Sequence, residues 1–368
     1  MKLAINATIL SSKPAGISVY ALNMINELLP LLEGNEVTVY TTCPELIKPS
    51  GAKIMAVSKR LSPNYGKLSG LLRFFWTQFI LPLKLRKLKA EKLYSPSHHG
   101  CFFMKNQVIT VLDLIPLKYP KQHRLQGLYY KYFLPLLLKR AESIVTISED
   151  TRKDIESTFG VSGGKIKVAY CGYDTANFFP RETAQKNIAV KYGFGDYFLV
   201  VGATYPHKNV EAALQALKKS GLDSGLVIIG KGIKGYEIKL SRLTEELSLG
   251  GKVAFVSYAP YHELPELYSG ARALLYLSLY EGFGMPPLEA MACGCPVITS
   301  KLSSLPEVVG ECAMYVNPLD SADIANAMKT VCIDKTLTEK LSKEGLIRSK
   351  QFNWKAEAAK VLPVIVKP

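Results

Sequence analysis

Residues 277–300, LSLYEGFGMPPLEAMACGCPVITS, read as the end of one strand, a glycine turn, a short helix and the start of another strand. In the turn Glu281-Gly282-Phe283-Gly284, glycine lets the backbone come close to a ligand, and Pro286-Pro287 pre-set the helical φ where the amides would be unbonded anyway. Gly294 then ends the helix before the apolar run that opens at Pro296. A helix start of this kind favours anions, so the amides of Phe283, Gly284 and Met285 are expected to point at a diphosphate. Glu289 is expected in the helix's first turn, where the dipole stabilises a carboxylate that accepts two ribose hydroxyls. Glu281, before the turn, is expected to meet a sugar hydroxyl or the positive charge that develops at an anomeric carbon. A glutamate at a helix start is, taken alone, more often a cap; the whole strand, turn and helix block is what points to a nucleotide.

Outward from this block, short β-rich apolar runs alternate with amphipathic segments, the pattern of βα units around parallel sheets. Seven such runs lie between residues 2–7 and 167–169, and five more between 198–202 and 296–299. In the first half, a loop with Ser11, Ser12, Pro14 and Gly16 leads into an expected helix over 17–32, whose apolar residues repeat at helical spacing. The turn-rich stretch FFPRETAQKNIAVKYGFGD places a domain boundary at about residue 178. The expected organisation is therefore an α/β chain of two doubly wound, Rossmann-like domains, 1–178 and 179–350. A last helical piece, 351–368, is expected to pack back on the first half.

The whole chain bounds what else it can be. Its 368 residues are about two and a half average domain units. With 48% apolar and 21% charged residues it is neither disordered nor fibrous. Seven cysteines, scattered and never in a CxxC pair, signal no zinc site and no disulfide framework, as suits a reducing, cytoplasmic compartment. No run is long and apolar enough for a membrane span, and MKLAINATILSS reads as a first core strand rather than a leader.

Charge is unevenly spread. Residues 1–180 hold 24 Lys+Arg against 12 Asp+Glu, whereas 181–368 hold 22 against 19. Within 50–140 there are 17 basic residues and two acids, Glu91 and Asp113, with aromatics interleaved in LLRFFWTQFILPLKLRKLKAEK and YYKYF. Cations mixed with Phe, Trp and Tyr suit the headgroup layer of an acidic bilayer, at about 1 kcal/mol per cation near the surface. Nucleic-acid phosphates and a merely solvated face are the other readings of such a stretch, and the membrane is preferred to nucleic acid.

The block EGFGMPPLEAMACGCPVI resembles the signature of the retaining GT-B glycosyltransferases of family 4, with its two glutamates separated by seven residues. The resemblance extends through IVTISEDTRKDIESTFGV, KIKVAYCGYD, FLVVGATYPHKNVEAALQA, LYSGARALLYLS and SSLPEVVGECAMYVNPLD, and more loosely to the N-terminus. It implies two Rossmann-like domains facing across a cleft, a nucleotide-sugar donor on the C-terminal one and an acceptor on the N-terminal one. It also implies Glu289 at the ribose, Glu281 at the transferred sugar and Lys208, in PHKN, at the donor diphosphate. An ammonium there stabilises the charge that leaves as the glycosidic bond breaks. Relatives often place an arginine shortly before this lysine; here the stretch is Ala203-Thr204-Tyr205-Pro206, so His207 or backbone amides are expected to share the clamp. Gly16 resembles the family's glycine loop near the donor. Where relatives carry His-Asp this chain has Leu112-Asp113, leaving Asp113 with His98, or His99, as the expected cleft residues.

The chemistry this implies is front-face transfer with retention and without a metal, the leaving phosphate oxygen taking the acceptor's proton. The resemblance favours mannosyltransferase-like members, hence GDP-mannose before UDP-sugars. A lipid-linked or oligosaccharide acceptor in cell-surface polysaccharide synthesis, met at the inner face of the membrane, completes the expectation. A nucleotide-sugar epimerase of the same fold, and a non-catalytic basic protein that binds membrane or nucleic acid, are the alternatives.

Overall fold

A computed structural model of the chain describes every residue except 15, 67, 183, 185–187, 189–190, 192, 194, 203–204 and 367–368. The chain divides into two compact units, Met1–Gly172 with Asn353–Pro368, and Tyr173–Phe352.

The first unit is built on seven parallel strands: β1 (Lys2–Ala7), β2 (Glu36–Thr41), β3 (Lys53–Ala56), β4 (Lys92–Ser95), β5 (Gln107–Val111), β6 (Ser143–Thr146) and β7 (Ile166–Val168). Their order is β3-β2-β1-β4-β5-β6-β7. β1, β4 and β5 are buried nearly throughout rather than on alternate residues, as strands of a sheet covered on both faces are. The helix Ile17–Leu31 covers one face, with Tyr20, Met24, Ile25 and Leu28 buried. The C-terminal helix Trp354–Val366 packs beside it, the Trp354 and Tyr20 ring centroids lying 5.9 Å apart. Glu357 anchors the same helix by accepting from the Tyr170 amide at 2.9 Å.

The second unit holds six parallel strands: β8 (Tyr197–Val201), β9 (Gly225–Ile229), β10 (Val253–Val256), β11 (Leu274–Tyr276), β12 (Val297–Ser300) and β13 (Met314–Val316), in the order β10-β9-β8-β11-β12-β13. β13 was not expected; three residues at a sheet edge are too few to show periodicity. One core, from Phe198, Leu226 and Leu275 to Ile324 and Met328, joins the sheet to the helices Val210–Ser220 and Ser321–Ile333.

The boundary expected at residue 178 falls instead after Gly172. Residues 173–178 belong with the second unit because Asn177 donates to the Tyr261 carbonyl and the Phe178 ring packs on Tyr261 and Tyr268. The later boundary falls between Phe352, whose ring lies 5.7 Å from that of Phe283, and Asn353.

In each sheet the strand order reverses once, between β1 and β4 and between β8 and β11. Chain connections leave these points in opposite directions and open a crevice at the carboxyl ends of the strands, where open α/β sheets bind ligands.

Candidate active site

At the β8/β11 crevice, Lys208, Tyr276 and Glu281 come together. Lys208 ends the 3-10 turn Pro206–Lys208 that follows β8. Tyr276 is the last residue of β11, and Glu281 stands on the loop after it. The Leu279 amide donates to the His207 carbonyl at 2.8 Å, which ties the two loops to each other.

The Lys208 Nζ donates to Glu281 Oε1 at 2.5 Å and to the Tyr276 hydroxyl at 3.1 Å; Tyr276 in turn donates to Glu281 at 2.9 Å. The side chains of Lys208 and Glu281 are only 18% and 8% exposed. Burial pushes Glu281 towards its neutral form, but Lys208 beside it outweighs burial and holds the carboxyl below its ordinary range. Burial likewise opposes the Lys208 ammonium, and Glu281 and Tyr276 reverse that and raise its pKa. Both groups are therefore charged at neutral pH.

Two serines outside the signature hold this loop in place. The Glu281 amide donates to Ser303 Oγ at 2.9 Å, and Ser304 Oγ donates to the carbonyls of Glu281 and Phe283 at 3.0 and 2.9 Å. Ser303 takes φ +50, a costly conformation for a residue with a Cβ, and such strain concentrates at functional sites. Gly202, Lys208, Tyr276 and Ser278 line a cavity of about 10 Å³, room for about one water.

The helix expected after the glycine turn spans Met285–Ala292. Gly284 caps it at φ +112, where a Cβ would also come within 2.9 Å of Leu305. Since the helix starts at Met285, Glu289 is one residue beyond the first turn, which holds no acid, and the expected dipole stabilisation gives way to another influence. Glu289 is buried among Leu288, Ala290 and Tyr268, and burial pushes its carboxyl up to about 7. Tyr268 donates to Oε2 at 2.9 Å and lowers it again only in part.

Of the other expected donor-side residues, His207 is buried, with its ring stacked on Tyr205, and Phe283 is a core side chain. Ala203 and Thr204, where an arginine was sought, lie outside the described residues. Tyr276, Tyr268, Ser303 and Ser304 were not anticipated. The tyrosines sit in apolar runs that read as core, and the serines lie beyond the signature, so no spacing marked them.

Gly16, Asp113 and His98 belong to the first unit, whereas Lys208, Tyr276 and Glu281 belong to the second. Gly16 precedes the helix Ile17–Leu31 at φ +48, its carbonyl accepting from Val19 and Tyr20. Asp113 accepts from the Ile115 amide at 2.9 Å, a turn that leads into the short helix Ile115–Lys118. His98 is 4% exposed, with Nδ1 3.0 Å from the Tyr130 hydroxyl. Burial first, and the charge of Arg73 second, push its imidazole down to about 3, so it stays neutral.

A family model described as Glycosyl transferases group 1 matches residues 182–347, and one described as Glycosyltransferase Family 4 matches residues 14–177. The O-antigen chain mannosyltransferase RfbU of Salmonella typhimurium is 31% identical over 332 residues, 89% of this chain and 90% of that protein. The O-antigen chain mannosyltransferase B of Escherichia coli is 28% identical over 355 residues, 92% of each. Sucrose-phosphate synthase from Thermosynechococcus elongatus shares the fold, with a TM-score of 0.78 at 21% identity over 98% of this chain and 97% of that one.

Proposed function

The chain belongs to the group 1 glycosyl transferases of family 4, with the GT-B fold of two Rossmann-like domains, and from that membership we propose that it transfers mannose from GDP-mannose to a lipid-linked glycan with retention of configuration. The observation that carries the reading is the charged Lys208–Glu281–Tyr276 network at the β8/β11 crevice, one loop before the helix that bears Glu289. The names of the two mannosyltransferase relatives support mannose as the transferred sugar and surface polysaccharide as the product.

In the reaction the bond between the sugar's anomeric carbon and the diphosphate oxygen breaks. The acceptor oxygen bonds to the same face of that carbon, and its proton passes to the departing phosphate oxygen. Lys208 balances the charge on the leaving diphosphate. Glu281 holds Lys208 before the donor arrives, then faces the sugar, where a carboxylate favours the developing positive carbon. Glu289 accepts the ribose hydroxyls, and those hydrogen bonds favour its ionised form over the neutral one that burial promotes. The scheme calls for no metal.

The acceptor is proposed to be met at a membrane. Two helical runs in the first unit, Ser69–Phe75 continued by Trp76–Ile80 and Leu81–Leu88, and Arg124–Leu128 continued to Arg140, expose apolar stripes at helical spacing. Leu71, Phe75, Phe79 and Leu83 form one stripe, and Leu125, Leu128, Tyr132 and Leu136 the other, each residue at least half exposed. The runs pack together through Phe74, whose ring lies 5.0 Å from Phe133 and 6.1 Å from Tyr129. Apolar stripes flanked by cations lie in the headgroup layer of an anionic bilayer, which supports a peripheral place at the cytoplasmic face. Among the described residues no helix is long and apolar enough to cross the membrane.

Calorimetric titration with GDP, UDP, ADP, TDP and their common sugars, repeated on Glu289→Ala, tests the donor. The expected result is selective binding of GDP and GDP-mannose, lost in the variant; preference for another nucleotide overturns the choice of donor. The anomeric configuration of the product, read by NMR with and without a chelator, tests retention and metal independence.

A further inference from the structure

Around the β1/β4 crevice of the first unit, Arg73 Nε, Thr77 Oγ1 and His99 Nε2 are buried polar atoms with no hydrogen-bond partner among the described residues, as is Ser95 Oγ at the end of β4. The fold gathers the first three. The β1 and β4 strands are neighbours, with Ile5 opposite Tyr94, and the loop after β4 is drawn over their carboxyl ends because Asn6 on β1 donates to the His99 carbonyl at 3.0 Å. Gln78 then fastens the helical run 69–88 to that loop. It donates to the Gly100 carbonyl at 2.8 Å and accepts from the Phe102 amide at 2.9 Å. Arg73 and Thr77, four residues apart on this run, share the helix face opposite the exposed stripe, the face that meets the loop.

Electrostatics make the group unusual. Arg73 is 6% exposed, and its sole hydrogen bond among the described residues is from Nη1 to the Leu61 carbonyl at 2.5 Å. A buried guanidinium without a carboxylate is costly and is ordinarily found paired. The two acids of residues 50–140 are engaged elsewhere, Glu91 with the Lys2 amide and Asp113 with the Ile115 amide. The groups that face Arg73 are instead His98, His99 and Tyr129. Burial, reinforced by the charge of Arg73, keeps both imidazoles neutral. The Tyr129 hydroxyl donates to the His98 carbonyl at 2.6 Å.

A cation, a hydroxyl and an imidazole nitrogen at a strand-end crevice match a tetrahedral oxyanion, which offers a negative charge and several acceptor oxygens at once. A carboxylate, with two oxygens in one plane, satisfies fewer of them. We propose that Arg73, Thr77 and His99 form a phosphate-binding subsite for the acceptor. The assignment to the acceptor rests on the reading above, in which the donor diphosphate belongs to Lys208 in the second unit. The acceptor is accordingly a phosphate-bearing molecule, a lipid phosphate or a soluble sugar phosphate.

The test is calorimetric titration of the full chain with inorganic pyrophosphate, on wild type and on Arg73→Met. Wild type is expected to take up two pyrophosphates and Arg73→Met one, with GDP and UDP binding unchanged in the variant. Should the donor reading fail, nucleotides do not bind and the expected counts become one and none, so the two failures are distinct. Equal stoichiometry and affinity in both proteins overturn the proposal. Arg73→Met removes a buried unpaired charge, so its thermal midpoint is expected not to fall. Arg73→Lys keeps the charge without the fork and is expected to retain the second site about tenfold weaker. Mannose 1-phosphate and short-chain phosphatidic acid identify the source: Arg73-dependent binding of the first marks a sugar phosphate, of the second a lipid phosphate, and of neither overturns the assignment to an acceptor.

Discussion

The two units put their polar groups to opposite use at the same topological position. At the β8/β11 crevice the buried ammonium of Lys208 has its carboxylate within the fold, and a tyrosine bridges both. At the β1/β4 crevice the buried guanidinium of Arg73 has two neutral histidines for neighbours and no carboxylate among the described residues. An internally paired site is ordered before its ligand arrives, and the ligand must exchange with the pair. An unpaired site costs stability until a ligand supplies the missing charge.

Removing one partner exposes this difference most sharply. Lys208→Met leaves Glu281 buried with Tyr276 alone, and is expected to cost about 3–5 kcal/mol of unfolding free energy. Turnover is expected to fall by about a hundredfold or more as the leaving charge loses its counterpart. Lys208→Met with Glu281→Gln should regain most of the stability and none of the turnover. Arg73→Met, by contrast, should cost nothing in the same denaturation experiment. Equal losses in the two single variants would erase the distinction between the crevices.

Glu289 gives the second largest effect, and pH reveals it. Its carboxyl is raised to about 7 in the fold against 4.5 when unperturbed. Below the lower value both folded and unfolded chains are protonated there. Between the two values the unfolded chain ionises first, so stability falls as pH rises, by a total of about 3 kcal/mol once pH passes 7. Glu289→Gln lacks this dependence. It should match wild type at pH 4 and exceed it by up to about 3 kcal/mol at pH 8, while binding the donor nucleotide more weakly. A difference that does not grow with pH would show that Glu289 is ionised in the fold.

The contrast also explains what the sequence disclosed. Strand alternation disclosed the doubly wound class, and the run EGFGMPPLE drew attention to Glu281 and Glu289, because glycines, prolines and carboxylates that act together there are close in the chain; Lys208, 73 residues before Glu281, was marked only by the resemblance of PHKN to the family. Tyr276 and Ser303 carried no such mark, since a tyrosine ending an apolar strand and a serine in a turn are commonplace. Glu289 sits one helical position beyond the turn where the sequence places it, so burial rather than the helix dipole governs its carboxyl. In the first unit Arg73, Thr77 and His99 meet only through tertiary contacts made by Gln78 and Asn6, and no local pattern announces them.

A smaller effect distinguishes the two helix entries. Gly284→Ala forces a Cβ onto φ +112 and to within 2.9 Å of Leu305, whereas Gly16→Ala meets strain at φ +48 with nothing within 4 Å. The first is expected to cost about 1–3 kcal/mol and the second about 1, read from paired denaturant midpoints. The reverse order would mean that contacts around Gly284 give way easily.

The smallest effect per residue concerns the surface. Arg86, Lys87, Lys89 and Lys131 are exposed on the two helical runs of the first unit, while Lys218, Lys219, Lys231 and Lys234 are exposed on the second. If the first unit alone meets an anionic bilayer, each Gln substitution in the first set should weaken partitioning onto phosphatidylglycerol vesicles about fivefold, the worth of about 1 kcal/mol per cation near the surface. The second set should have no effect. Phe75→Ser and Leu83→Ser should weaken binding at high salt as well as low, because burial of an apolar side chain is not screened, whereas the lysine and arginine effects should shrink as salt rises. Equal sensitivity of the two lysine sets would reduce the interaction to net charge, and the stripes would then need another partner.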